Sequence, residues 1–210
     1  MRAAAATLGV LFLCALPAAA EWLPGIPARP RSERGVAGHI SAGLGASVPF
    51  GGHWGDSTAG FKPSPALSLS VSKRVDEIFS YGLDSFHAWH QVNRAFGGLN
   101  LKLTSLTPFI KVSAPEGAGT FYGILGLGVY HWAYPAFTVA GAAQGSDSAW
   151  NGGFNLGTGI LLPLGGGCRG GLELRWHRIL NMRAAAFNLG AVNSLNLTLV
   201  VRGDLHGRRP

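Results

Sequence analysis

Leu195-Asn196-Leu197-Thr198-Leu199-Val200-Val201-Arg202-Gly203-Asp204-Leu205 is the stretch whose reading decides the fold. Side chains alternate across a strand with period two, so Leu195, Leu197, Leu199, Val201 and Leu205 share one face, and Asn196, Thr198, Arg202 and Asp204 share the other. One face is apolar and the other is charged. The segment exceeds the usual ~5 to 6 residues of a globular strand and matches the roughly 9 to 11 tilted residues that cross a bilayer as β-structure. Lipid tolerates no open sheet edge, so other strands of this kind must close with it into a barrel.

The start of the chain reads differently. Arg2 precedes an apolar run from Ala3 to Leu16, followed by Pro17 and then Ala18-Ala19-Ala20. A charged head, a short apolar core and a small-residue cleavage site predict a secretory signal peptide over residues 1–20. The run is short of the ~20 residues of a spanning helix. Leu13 stands before Cys14 where a lipobox requires a small residue, which argues against lipidation. Cleavage leaves Cys168 without a partner for an internal disulfide. Residues 21–34, rich in Pro, Gly and Arg, read as an irregular lead-in on the periplasmic side, residues 35–205 as the barrel, and residues 206–210 as a short basic tail.

Composition points the same way. Charged residues are 13% of the chain against ~25% in soluble domains, while apolar residues are 47%. Too little charge is present to cover a soluble surface, and no stretch after the signal is long enough for a spanning helix. The net charge of +7 is spread rather than striped, which argues for anionic lipid and against nucleic acid as the partner.

Seven further two-faced ribbons precede the last strand: about 37–50, 65–73, 77–89, a fourth from Leu99, then 120–132, 153–164 and 169–180. In the fourth, Leu99, Leu101 and Leu103 are read as the apolar row, which then changes phase to Leu106, Ile110 and Val112. A bulge near Thr104 to Thr107 would account for the change. Connections alternate between short (74–76, 113–119, 165–168) and long (51–64, 90–98, 133–152, 181–194), the pattern of the two rims of an outer-membrane barrel. The expected fold is therefore all-β: an eight-stranded antiparallel transmembrane β-barrel of up-and-down topology. Phe50, Trp89, Trp132, Trp150 and Trp176 lie toward the long-loop ends and are expected to form an aromatic girdle at headgroup level. The second row, rich in Gly, Ser, Thr and Asn, suits a narrow interior, so the apolar row is expected outside. A secreted lipocalin-like ligand-binding barrel would carry that row inside.

Three segments then show a family likeness: Gly43-Leu44-Gly45-Ala46-Ser47-Val48-Pro49-Phe50-Gly51, Gly126-Leu127-Gly128-Val129-Tyr130, and Leu172-Glu173-Leu174-Arg175-Trp176-His177-Arg178-Ile179. Over about residues 35–205 the chain resembles the OmpA/OmpX-like, eight-stranded group of bacterial outer-membrane β-barrel domains. The resemblance implies export to the outer membrane, contact with its lipids and lipopolysaccharide, passage through the barrel-assembly machinery, and a monomer. Such proteins carry an aromatic residue at the end of the last strand, whereas this strand ends at Leu205 and Arg208-Arg209-Pro210 follow.

Alternation places Asp84, Lys102, Glu173, Arg175, Arg202 and Asp204 inward, where unpaired charges are costly, so they are expected to pair, Glu173 with Arg202 foremost. Such a plug makes the barrel structural or interactive through its extracellular loops; a gated pore for small solutes or ions is the alternative. Lys62, Arg94, Arg178 and Arg183 near the long-loop rim are candidates for lipopolysaccharide phosphate. Some barrels of this group deacylate lipid A with a His followed two residues later by a Ser nucleophile. Here His177 is followed by Arg178 and Ile179, so no enzyme is expected. His53, His87, His90, His131 and His177 cluster toward the same rim without metal-ligand spacing, so neither metal nor other cofactor is expected.

Overall fold

In a computed structural model, residues 36–50, 61–93, 99–116, 119–183 and 188–206 are described. The predicted signal peptide and lead-in, Arg94, His53 and the tail from residue 207 lie outside the described residues. Ten strands follow in order: β1 Val36–Phe50, β2 Ser64–Arg74, β3 Phe79–Asn93, β4 Leu99–Glu116, β5 Gly119–Tyr134, β6 Phe137–Val139, β7 Ala142–Gln144, β8 Asp147–Gly165, β9 Cys168–Arg183 and β10 Asn188–His206. Eight of them form one closed barrel, each paired antiparallel with its neighbours in chain order, and β10 returns to pair with β1. The up-and-down, eight-stranded expectation therefore holds.

The strands run longer than alternation suggested. β8 begins at Asp147 and β10 at Asn188, so much of two expected long loops is strand. The connection between β5 and β8 instead folds its own small hairpin, β6 with β7, whose tip places Ala140 and Gly141 at φ of 49° and 80°. Two successive left-handed residues match the twist of a two-residue hairpin turn. At the opposite rim Gly165, Gly166 and Gly167 all have positive φ, so the β8–β9 turn depends on residues without a Cβ.

The fourth strand corrects the expected phase. No register shift interrupts the pairing of β4 with β5, and Leu99, Leu101, Leu103, Ser105, Thr107, Phe109 and Lys111 are all buried in a single inward row. The irregularity lies in β3 instead, between Ala88 and Gln91. Hydrophobicity had suggested an outward row at Leu99–Leu103, but strand geometry turns those leucines inward.

Elsewhere the two faces divide as expected. Leu199 is 68% exposed, Leu127 65% and Leu44 60%, within an apolar exterior to which all eight barrel strands contribute. Asp84, Glu173, Arg175 and Arg202 are buried in the lumen. A barrel with its apolar row turned inward around a ligand is therefore not the arrangement found.

Interior volume is filled by pairing large side chains with glycine. A Cβ on Gly159 would run into the Tyr122 ring, one on Gly153 would meet the Tyr130 ring at 2.7 Å, and one on Gly157 would press on Arg175 at 3.1 Å. Inward glycines make the space that the aromatic and guanidinium groups occupy.

The β2–β3 turn shows how a short connection is locked. Asp76 Oδ1 accepts the backbone N–H groups of Ile78 and Phe79, both at 2.7 Å, and these bonds hold its carboxyl below the usual carboxylate range. A depressed folded pKa adds stability at neutral pH, and that stability is lost as pH falls through the folded value. We expect Asp76→Ala to lower the hydrogen-exchange protection factors of Ile78 and Phe79 about tenfold, and acidification of the wild type to lower them likewise once the slower intrinsic exchange at acid pH is divided out; unchanged protection factors in both cases would remove Asp76 as the lock.

Candidate functional site

Four layers fill the lumen from the short-turn rim to the long-loop rim. Near the short turns, His39 Nδ1 meets Asp204 Oδ1 at 3.0 Å, where β1 is registered against β10, and Arg169 Nη1 donates to Thr120 Oγ1 at 2.6 Å. Arg202 is buried beside this layer. Next comes a charge cluster. Arg175 on β9 reaches across the lumen to Asp84 on β3, Nη1 to Oδ2 at 2.5 Å, and pairs with Glu173 on its own strand, Nη2 to Oε1 at 2.7 Å. Tyr122 OH donates to Glu173 Oε2 at 2.9 Å, and the Lys111 ammonium sits 5.0 Å from the Tyr122 ring centre and 5.6 Å from that of Phe109. Arg175 and Asp84 expose only 6% and 1% of their side chains, and the second carboxylate, Glu173, shares the buried guanidinium with Asp84.

Above the charges lies a neutral polar layer. Tyr130 OH and His177 Nδ1 are 3.1 Å apart, Asn155 Nδ2 donates to Thr107 Oγ1 at 3.2 Å, and Gln91 Nε2 donates to Ser47 Oγ at 3.1 Å, which in turn meets Ser194 Oγ at 2.7 Å. Phe86 stacks on His177 with ring centres 4.9 Å apart. Last comes an apolar plug in which Leu99, Leu101, Leu103, Trp132 and Ile179 are fully buried, joined by Met182 and Val192. A water-filled conduit would have to cross this layer.

Several expected site residues change place. Asp84, Glu173 and Arg175 do meet, but Asp84 pairs across the lumen with β9 rather than with its neighbour strand. Lys102 is not luminal: it is exposed on the outer face opposite Ala133, because β4 keeps one phase throughout. Thr198, not Arg202, is registered opposite Glu173, and Asp204 joins His39 at the short-turn mouth. Trp132 leaves the expected girdle for the interior plug. Trp176 does face outward, edge-on to Phe154 at 5.5 Å, but it stands mid-strand in β9. Phe50, Trp89 and Trp150 remain toward the long-loop rim, where Trp89 stacks on His87 at 5.6 Å and Trp150 lies 4.7 Å from His131. Of the expected phosphate contacts, Lys62 and Arg183 are exposed, and the outward Arg178 donates to Asn193 Oδ1 at 3.4 Å. Sequence reasoning missed Lys111 and Tyr122, although the inward row through Thr107 and Phe109 leads directly to Lys111.

No family model matches the chain, and no curated protein sequence does. Solved structures do. Neisserial surface protein A aligns with a TM-score of 0.59 at 13% identity, over 80% of this chain and 97% of that one. Ail, the attachment invasion locus protein of Yersinia pestis, aligns at 0.49 and 14% identity, over 79% and 98%. Outer membrane protein OprG from Pseudomonas aeruginosa aligns at 0.47 and 11% identity, over 81% and 97%. The chain thus has the closed eight-stranded barrel fold found in bacterial outer-membrane proteins.

Arg175 carries the charge cluster. Replacing it with Met leaves Asp84 and Glu173 buried without their cation, and we expect a loss of about 3 to 5 kcal/mol, read from urea unfolding of the detergent-refolded barrel. The fourfold change Arg175→Met, Asp84→Leu, Glu173→Leu, Lys111→Met, which removes both signs of the cluster together, should recover most of it; a Met variant as stable as wild type would show that the cluster is energetically idle. In planar bilayers neither the wild type nor Arg175→Ala should give unitary currents, because the apolar plug is intact in both. A steady single-channel current from either would overturn the closed lumen.

Proposed function

We propose that the chain is a bacterial outer-membrane protein without catalytic activity, which acts structurally and as an interaction surface through its long-loop rim. The observation that carries this reading is the inverted division of the barrel, apolar outside and ion-paired inside. In water, so extensive an apolar exterior would aggregate, whereas in a bilayer it is the required surface. Along β10 the exposed row from Leu197 to Leu205 continues through the half-buried Leu195. At a rise of about 3.3 Å per residue and a tilt of about 40°, this row covers about 25 Å, the height of the apolar band of outer-membrane barrels.

Filling of the lumen favours a scaffold over a pore. The rim also supplies cations for the outer leaflet: Lys62 and Arg183 are exposed, and Arg178 faces outward beside Asn193. We assign these to lipopolysaccharide phosphates, to which guanidinium groups donate in fixed, paired geometry. Export by an N-terminal signal, insertion by the barrel-assembly machinery and a monomeric state complete the proposal.

Fractionation of expressing cells tests it. The protein should appear in the outer-membrane fraction and migrate differently on gels before and after boiling, since a closed barrel resists detergent until heated. A soluble protein with no heat-dependent shift would overturn the assignment.

A further inference from the structure

The outer wall carries a group of polar side chains that the lumen, the apolar band and the expected phosphate contacts do not use. One cross-strand row runs over five adjacent strands: Leu67 on β2 opposite His87 on β3, His87 opposite Thr104 on β4, Thr104 opposite His131 on β5, and His131 opposite Trp150 on β8. All five face outward, because chain neighbours such as Phe86, Ala88, Leu103, Ser105, Tyr130 and Trp132 are buried inside. One step toward the short turns, Leu106 stands opposite Val129, 45% and 44% exposed. The row is therefore the first polar line above the apolar band on β4 and β5. One step further toward the long loops, Lys102 projects from the middle strand and is exposed.

We propose that Lys102, flanked by His87 and His131, binds the phosphate of a phosphorylated glycolipid headgroup against the outer wall. The inference rests on the wall lying in a bacterial outer membrane. Among the described residues no carboxylate pairs with Lys102, and none alternates outward on the rim halves of β3, β4, β5 or β8. A cation at the edge of an apolar band is costly without a counter-charge, and the anions at that depth are lipid phosphates. Both imidazoles are held in place. The Nδ1 of His87 bonds to Thr104 Oγ1 at 2.7 Å and its ring stacks on Trp89, while the His131 ring rests on Trp150. They stand on the two strands flanking that of Lys102, roughly 9 to 10 Å apart along the row. A phosphomonoester presents three terminal oxygens to such a spread of donors, where a phosphodiester presents two. The indoles of Trp89 and Trp150 sit where interfacial aromatics meet headgroups.

Native mass spectrometry of the full-length protein in neutral detergent tests the site, with bis-phosphorylated lipid A, dephosphorylated lipid A, phosphatidylglycerol and inorganic phosphate as probes. We expect bis-phosphorylated lipid A to bind, and its apparent Kd to rise about tenfold in Lys102→Ala and in the double variant His87→Ala, His131→Ala. Lys73→Ala, which removes an exposed lysine near the other rim, should leave it unchanged. The heat-dependent gel shift establishes that each variant is folded. Equal binding of dephosphorylated lipid A or phosphatidylglycerol, saturation by inorganic phosphate alone, or no loss in Lys102→Ala would each overturn the assignment. Absence from the outer-membrane fraction would overturn the location instead, and the two failures are read from separate experiments.

Discussion

Closure of β1 onto β10 is the constraint from which the rest follows. It pairs the backbone groups of the first and last strands, from Val36 against His206 to Phe50 against Asn193, and so removes the two free edges that an open sheet would carry. Eight strands then fix an interior just wide enough for side chains to fill. The interior must be filled by side chains, and the sequence fills it by setting Gly153, Gly157 and Gly159 against Tyr130, Arg175 and Tyr122. Where a ring or guanidinium enters, a neighbouring strand gives up its Cβ. The same closure commits the alternate residue of each strand to the outside, where no protein atoms remain to cover it.

Much of this was legible because a period of two is a strong signal when both faces are committed. Leu195 to Leu205 reads correctly from alternation alone, as do the outward leucines of β2 and β9. The reading failed where hydrophobicity and parity disagreed. Leu99, Leu101 and Leu103 look like a lipid-facing row, yet they fill the interior plug, and that error carried Lys102 inward with it. Continuity with Ser105, Thr107, Phe109 and Lys111 on the same strand would have corrected both, since one uninterrupted row needs no bulge. The contact between Asp84 and Arg175 was not legible at all. It crosses the lumen between strands that are not neighbours, and no local pattern encodes which facing charges meet across a barrel.

Strand ends were under-read for a different reason. Alternation identifies the portion of a strand with two different environments, and that portion ends with the apolar band. Beyond it β8 and β10 continue to Asp147 and Asn188, still paired, and there Ala149 and Val192 pack inward against the plug. Hydrogen bonding extends the ladder where hydrophobic patterning has stopped. Trp132 shows the same limit: an aromatic near a strand end suits an interfacial girdle or an interior plug, and only the parity of β5 chooses between them.

Buried ions in a narrow lumen cost desolvation, and apolar residues of similar volume would pack as well or better. Their value lies in which face they forbid. A strand apolar on both faces could slip by one residue at little cost, because either row would suit lipid. With Glu173, Arg175 and His177 on one row of β9 and Leu172, Leu174 and Trp176 on the other, a one-residue slip would turn all three polar groups onto the apolar outer face. An arginine facing lipid at mid-depth costs about 2 to 4 kcal/mol, so the penalty for slippage is comparable to a sizeable part of a barrel's stability. Arg175 is best understood in those terms: its ion pairs make the correct facing tolerable, and its charge makes the wrong facing prohibitive. In the proposed membrane setting Lys102 would obey the same rule from outside, because an exposed cation on β4 is then acceptable only above the apolar band.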